Sequence, residues 1–312
     1  MVSKFNKKHV VSIKDFTKDE IDFVLDLAEE MTEIAKGNKS DDSLKGNILG
    51  TLFFEPSTRT RLSFESAMKR LGGTCIGFAR AGTSSVKKGE TLADTVQVIS
   101  SYVDIIVLRH PQEGAARLAA KFSEKPIINA GDGAGQHPTQ TLLDLFTIRE
   151  EKDEIESKKI GIAGDLKYGR TVHSLTHALS MYDCDLTFIA PPSLQIPDEI
   201  IKDIEKMDIK YRKAENITDV LDDLDVLYMT RIQRERFPSD EEYEEVAETY
   251  KIKKDMLENV KDDMIIMHPL PRVDEIYSDV DSTTHAKYFK QAANGVPIRM
   301  ALLKLLTEGY NE

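Results

Sequence analysis

Arginine, histidine and hydroxyl side chains gather in short clusters along this chain, each following a run of apolar residues. The densest is Ser57-Thr58-Arg59-Thr60-Arg61. Pro56 ends the apolar run before it, and Ser57 or Thr58 is a natural helix N-cap. Leu62, Met68 and Leu71 give the following helix an apolar face, and Gly72-Gly73 end it. A helix start offers free backbone N–H groups and the positive end of the macrodipole, a combination that binds phosphate. The hydroxyls of Ser57, Thr58 and Thr60 add donors, and Arg59 adds charge where a departing phosphate needs it. The plainer alternative is a well-capped helix with exposed arginines.

Five further clusters occur: Arg109-His110-Pro111, Gln136-His137-Pro138-Thr139-Gln140, Gly169-Arg170-Thr171, Arg231-Ile232-Gln233 and His268-Pro269-Leu270-Pro271-Arg272. Five of the six carry Arg in a chain of formal net charge −12. Cations collected against that background suit anionic ligands, phosphates or carboxylates that match a guanidinium fork. Lys87-Lys88-Gly89-Glu90 follows Ser84-Ser85 in a small-residue loop. Taken alone it reads as a surface turn, although such a loop could carry cations to a phosphate. Gly164–Thr171 approaches a phosphate-loop nucleotide motif but has Arg where that motif needs Lys.

The elements that must position these clusters alternate in type. Strands are expected at Ile48–Phe54, Thr74–Phe78, Asp104–Leu108, Pro126–Asn129, Lys159–Ala163, Asp185–Ile189, Ile209–Arg212, Val226–Met229 and Met264–Met267, mostly separated by stretches long enough for a crossover helix. Thr17 and Glu20 form a capping box at the first helix, and Pro297–Leu306 reads as a last apolar helix. Every polar cluster thus falls just beyond a strand end, where open α/β sheets bind ligands. Nine strands exceed one small sheet, and Thr139–Glu151 reads as a connecting helix. The expected fold is α/β, with two doubly wound domains, each a mostly parallel sheet flanked by helices. One comprises residues 1–138 plus a C-terminal helix at 294–312, the other residues 139–293. The charged stretch Arg231–Lys254 reads as a solvated connection.

Composition agrees. A length of 312 residues suits two domains of about 150. No apolar run could span a bilayer, and MVSKFNKKHV lacks a signal core. Cys75 and Cys184 have neither metal-ligand nor disulfide-framework spacing, so a soluble protein of a reducing, cytoplasmic compartment is expected. The acidic balance argues against nucleic-acid binding.

Phe53–Arg61, Lys87–Glu90, Arg109–Pro111, His137–Gln140, Gly164–Arg170 and His268–Pro271 together, and in this order, resemble the aspartate/ornithine carbamoyltransferases. The match runs from about residue 46 to 300. Thr139 and Pro269 stand where ornithine enzymes typically carry Cys, and Tyr228–Gln233 is similar to the aspartate-binding segment. The aspartate branch, of the de novo pyrimidine pathway, is therefore implied.

The resemblance implies carbamoyl phosphate on the first domain and aspartate between the two. Ser57, Thr58, Arg59, Thr60 and Arg109 would hold the phosphate, and Thr60, Arg109 and His137 would polarise the carbonyl. Gln140 and the Leu270 backbone would take the amide nitrogen; Arg170, Arg231 and Gln233 would grip the aspartate carboxylates. Ser84 and Lys88, the latter also touching aspartate, would come from the neighbouring subunit of a homotrimer. No metal, cofactor or covalent nucleophile is implied. The aspartate amine attacks directly, a tetrahedral oxyanion forms and phosphate leaves. Arg231–Lys254 would close as a lid. A separate regulatory chain in a larger assembly stays open, as do transfer to ornithine and a non-catalytic scaffold role.

Overall fold

The computed structural model of the chain describes residues 5–80, 89–133, 135–232 and 250–308. Contacts divide the chain into two units, Met1–Phe146 with Asn294–Glu312, and Thr147–Ala293. The division falls inside the connecting helix rather than at its first residue, where it was expected.

In the first unit the strands are β1 (Ile48–Phe53), β2 (Thr74–Phe78), β3 (Ile105–His110) and β4 (Ile127–Asp132). They form a parallel sheet in the order β2-β1-β3-β4. Its helices are α1 (Lys18–Ala35), α2 (Thr58–Arg70), α3 (Leu92–Ser100), α4 (Ala115–Phe122), the first part of α5 (Pro138–Lys152) and the C-terminal helix Gly295–Glu308. The capping box at α1 forms as expected. Glu20 N–H donates to Thr17 Oγ1 and Thr17 N–H to Glu20 Oε2. One sheet face packs Leu52, Ile106, Leu108 and Ile127 with Val96 of α3 and Ala116 and Ala119 of α4. On β1 and β3 nearly every residue is buried, the mark of a parallel strand covered on both faces.

In the second unit β5 (Lys159–Ala163), β6 (Asp185–Ile189), β7 (Tyr211–Ala214), β8 (Val226–Met229) and β9 (Ile265–Met267) form a parallel sheet in the order β7-β6-β5-β8-β9. With it go α6 (Arg170–Leu179), α7 (Asp198–Glu205) and α8 (Tyr288–Ala293), so the C-terminal helix is α9. The two-sheet α/β architecture is the expected one. β7 lies two residues later than expected. Asp208 turns with φ 56°, and the register pairs Leu186 with Tyr211. Because β7 is an edge strand, Arg212 and Lys213 can extend it while exposed to solvent. Among the described residues no helix is long and apolar enough to cross a membrane.

Each strand order contains one reversal. The chain runs from β1 outward to β2 and then returns to β3 on the other side of β1. It likewise runs from β5 to β6 and β7 and returns to β8. The crevice beyond the strand ends at such a reversal is where open α/β sheets bind ligands.

Candidate active site

The reversal in the first unit lies between β1 and β3, and α2 starts just beyond β1. Ser57 occupies the N-cap position of α2 but makes no side-chain cap bond. Its Oγ instead donates to Thr60 Oγ1 at 2.9 Å. The expected N-cap therefore stands in place without using its oxygen on the helix. Thr58 and Arg59 are exposed and Thr60 is buried.

Arg109 comes from the end of β3, where it pairs with Phe53 of β1, and its carbonyl accepts the Phe54 N–H at 2.8 Å. The residue is 8 % exposed. It donates to the Ala130 carbonyl at 3.0 Å and to Glu55 Oε1 at 3.1 Å, while its Nε has no hydrogen-bond partner among the described residues. Partial desolvation and the Arg109 charge hold the Arg59 guanidinium below the ordinary arginine range. Two guanidinium groups that act on each other beside a helix start favour an anion, which relieves their repulsion.

His137, 5 % exposed, stands just before α5, and its carbonyl accepts the N–H groups of Gln140 and Thr141. Pro138 occupies the first position of that helix. The loop carrying His137 is braced from within. Asn129 Nδ2 donates to Asp132 Oδ1 and to the Val11 and Gln136 carbonyls, and Gln136 N–H donates to Asp132. Gln140 donates to Asp144 Oδ1 at 2.8 Å. Asp144 lies in the electrostatic reach of Arg299 on α9, a fully buried guanidinium 5.0 Å over the Phe64 ring.

In the second unit the reversal lies between β5 and β8. Arg170 is the first residue of α6, beyond β5, and Arg231 follows β8; both are half-buried. Leu270 follows β9 with φ 53°, and its peptide bond to Pro271 is cis. Ser84, Lys88 and Gln233 lie outside the described residues, as does most of Arg231–Lys254. Among the described residues no group of three His, Cys, Asp or Glu could hold a metal ion.

Sequence reasoning missed Glu55, Asp144, Glu275 and Arg299. Two had a signal: Glu55 stands within the Phe53–Arg61 cluster, and Asp144 lies one helical turn beyond Gln140. Nothing in the chain's local pattern marks Glu275, which meets His268 only because the loop between them folds back, or Arg299, whose partners come from distant parts of the chain.

Residues 8–150 match the family model "Aspartate/ornithine carbamoyltransferase, carbamoyl-P binding domain", and residues 156–306 match the corresponding "Asp/Orn binding domain". The aspartate carbamoyltransferase catalytic subunit of Methanocella arvoryzae is 56% identical over 97% of this chain and 98% of its own. The crystallised catalytic subunit of M. jannaschii aspartate transcarbamoylase superposes with a TM-score of 0.93 at 56% identity, covering 97% of this chain and 98% of that one. Aspartate transcarbamoylase from Trypanosoma cruzi, solved with carbamoyl phosphate and aspartate, gives 0.91 at 36% identity over 97% and 96%. The chain belongs to the aspartate/ornithine carbamoyltransferase family.

Proposed function

We propose that this protein transfers the carbamoyl group of carbamoyl phosphate to the amino group of L-aspartate, giving N-carbamoyl-L-aspartate and phosphate, as a cytoplasmic enzyme of de novo pyrimidine synthesis. The observation that carries the reading is the Arg59–Arg109 pair at the strand reversal of the first unit, beside the uncapped start of α2. Carbamoyl phosphate binds there through Ser57, Thr58, Arg59, Thr60 and Arg109. Thr60, Arg109 and His137 point donors at the carbonyl oxygen, where negative charge grows as the amine attacks. Losing one such donor typically costs about 10²–10³ in turnover.

Gln140 and the Leu270 carbonyl take the carbamoyl N–H groups. Arg170, Arg231 and Gln233 bind the aspartate carboxylates. Ser84 and Lys88 reach the site from the neighbouring copy in a homotrimer. The aspartate nitrogen adds to the carbonyl carbon to give a tetrahedral oxyanion; this collapses as the carbon–oxygen bond to phosphate breaks, and the departing phosphate takes the amine proton. Arg59 neutralises the charge on that leaving group. Holding two anions at near-attack distance supplies much of the acceleration.

The test is a product assay with carbamoyl phosphate and either L-aspartate or L-ornithine, following phosphate release and the carbamoylated amino acid. Carbamoyl-aspartate is the expected product. Carbamoylated ornithine alone, or no product with either acceptor, overturns the reading.

A further inference from the structure

A buried chain of hydrogen bonds behind Leu270 has no role in the mechanism above. The Leu270 N–H donates to His268 Nδ1 at 2.8 Å, and His268 Nε2 lies 2.7 Å from Glu275 Oε1. With Nδ1 occupied as an acceptor, the ring proton of a neutral imidazole sits on Nε2 and is donated to the carboxylate. The other Glu275 oxygen accepts the N–H groups of Val273 and Asp274 at 3.0 and 3.1 Å. The His268 N–H donates to Gln291 Oε1 of α8 at 2.8 Å.

His268 is 2 % and Glu275 5 % exposed. Burial pushes the Glu275 carboxyl up, but the hydrogen bond from His268, with those from the backbone N–H groups, outweighs it and holds the group below its usual range. Packing alone needs none of this, because apolar residues of the same volume fill a buried space at least as well. What the network does fix is a backbone. Leu270 holds a left-handed conformation, uncommon for a residue with a side chain and sustained where the surroundings over-determine it.

We propose that His268 and Glu275 are positioning residues for carbamoyl transfer: Glu275 fixes the imidazole tautomer, and the imidazole holds the Leu270 backbone so that its carbonyl takes a carbamoyl N–H. This rests on the carbamoyltransferase reading above. Neither side chain touches substrate; both act through the Leu270 peptide.

The test compares acceptor geometry at constant polarity. His268→Asn keeps a carbonyl oxygen near the place of Nδ1. His268→Gln directs its amide toward Glu275 and leaves the Leu270 N–H without its acceptor. Glu275→Gln offers one oxygen where the carboxylate offers two. In both Gln variants kcat is expected to fall on the order of 10²-fold, the cost of a misplacement of about 1 Å. KM for aspartate stays near its unsubstituted value, and His268→Asn recovers most of kcat without a higher thermal midpoint. A folded His268→Gln with full kcat overturns the proposal, as does His268→Asn no better than His268→Gln. Failure of both Gln variants to fold makes the network a folding element and overturns it too. Carbamoyl-aspartate formation by the unsubstituted protein, measured alongside, tells a failure of this inference from a failure of the assigned reaction.

Discussion

Thr230 Oγ1 donates to the Ala163 carbonyl oxygen at 2.9 Å, and the Thr230 N–H donates to the same oxygen at 2.8 Å. The ends of β5 and β8 are thereby clamped one residue before Gly164 and Arg231. Gly164 sits at φ 115°, and a Cβ there would come 2.3 Å from the Thr230 carbonyl oxygen. Gly164→Ala combines a forbidden backbone region with a backbone clash. Overpacking alone costs about 1–3 kcal/mol, so a loss at or above that range is expected in urea unfolding. KM for aspartate rises with it, because Arg231 follows the displaced Thr230. An unchanged midpoint and KM would show that the strand ends are not held by this contact.

Arg59 and Arg231 stand at the strand reversals of different units, and their losses are expected to differ in kind. With Arg59 in its proposed place on the leaving phosphate, Arg59→Ala is expected to lower kcat by about 10²–10³ or more. With Arg231 in its proposed place on an aspartate carboxylate, Arg231→Ala is expected to raise KM for aspartate with a smaller change in kcat. Steady-state kinetics with each substrate varied in turn checks both. Normal turnover in Arg59→Ala would falsify the phosphate assignment.

Asp144 compensates a charge that the fold has buried completely. Burial pushes Arg299 down to about 10 despite the opposing pull of Asp144. Asp144→Ala leaves that guanidinium uncompensated, which costs about 3–5 kcal/mol in comparable buried pairs. It also removes the acceptor of the Gln140 amide. Asp144→Ala/Arg299→Met removes both charges and is expected to regain much of the stability but not the activity. Thermal midpoints and kcat of the single and double variants decide this.

Strand–helix alternation and the position of the clusters were legible because local pattern carries them. β1 and β3 are mostly apolar, the Thr17–Glu20 box is a four-residue signal, and Ser57–Arg61 follows a strand within a few residues. Local pattern does not carry strand order. The reversals that put Ser57–Arg61 beside Arg109, and the strand before Arg170 next to the strand before Arg231, depend on which side of β1 and β5 the chain returns. Support for the clusters was illegible for the same reason. Arg299 meets Phe64 and Asp144 from distant parts of the chain, and Glu275 reaches His268 only because the loop between them folds back. β7 was misjudged at its ends, since an edge strand tolerates charged residues that periodicity reads as a boundary.

His9 gives the first unit an acid-sensitive contact. Burial and then the Lys8 charge push its pKa down from 6.5 to about 4, and its Nδ1 accepts the Ile127 N–H at 3.1 Å. The unfolded chain binds the proton more readily than the folded one. The contribution is therefore present above about pH 6.5 and is lost as pH falls toward 4. His9→Asn keeps an acceptor without a titrating ring, so its thermal midpoint should fall less than that of the unsubstituted protein across this window. Parallel curves would show that His9 does not contribute to the slope.

A site shared between copies makes a forecast that a self-contained site cannot. Arg59→Ala and Lys88→Ala are each expected to be nearly inactive as pure proteins. In a closed three-fold ring every interface has a direction: one copy supplies Arg59 and the next supplies Lys88. Any mixed ring then has a single interface at which both contributors are unsubstituted, roughly one site in three. Dissociating the two variants together and reassembling them should restore activity in proportion to the mixed rings formed. Mixing without dissociation should restore none. If each copy instead supplied its own Lys88, every site in a mixed ring would carry one of the two substitutions, and reassembly would leave the activity at the level of the pure variants.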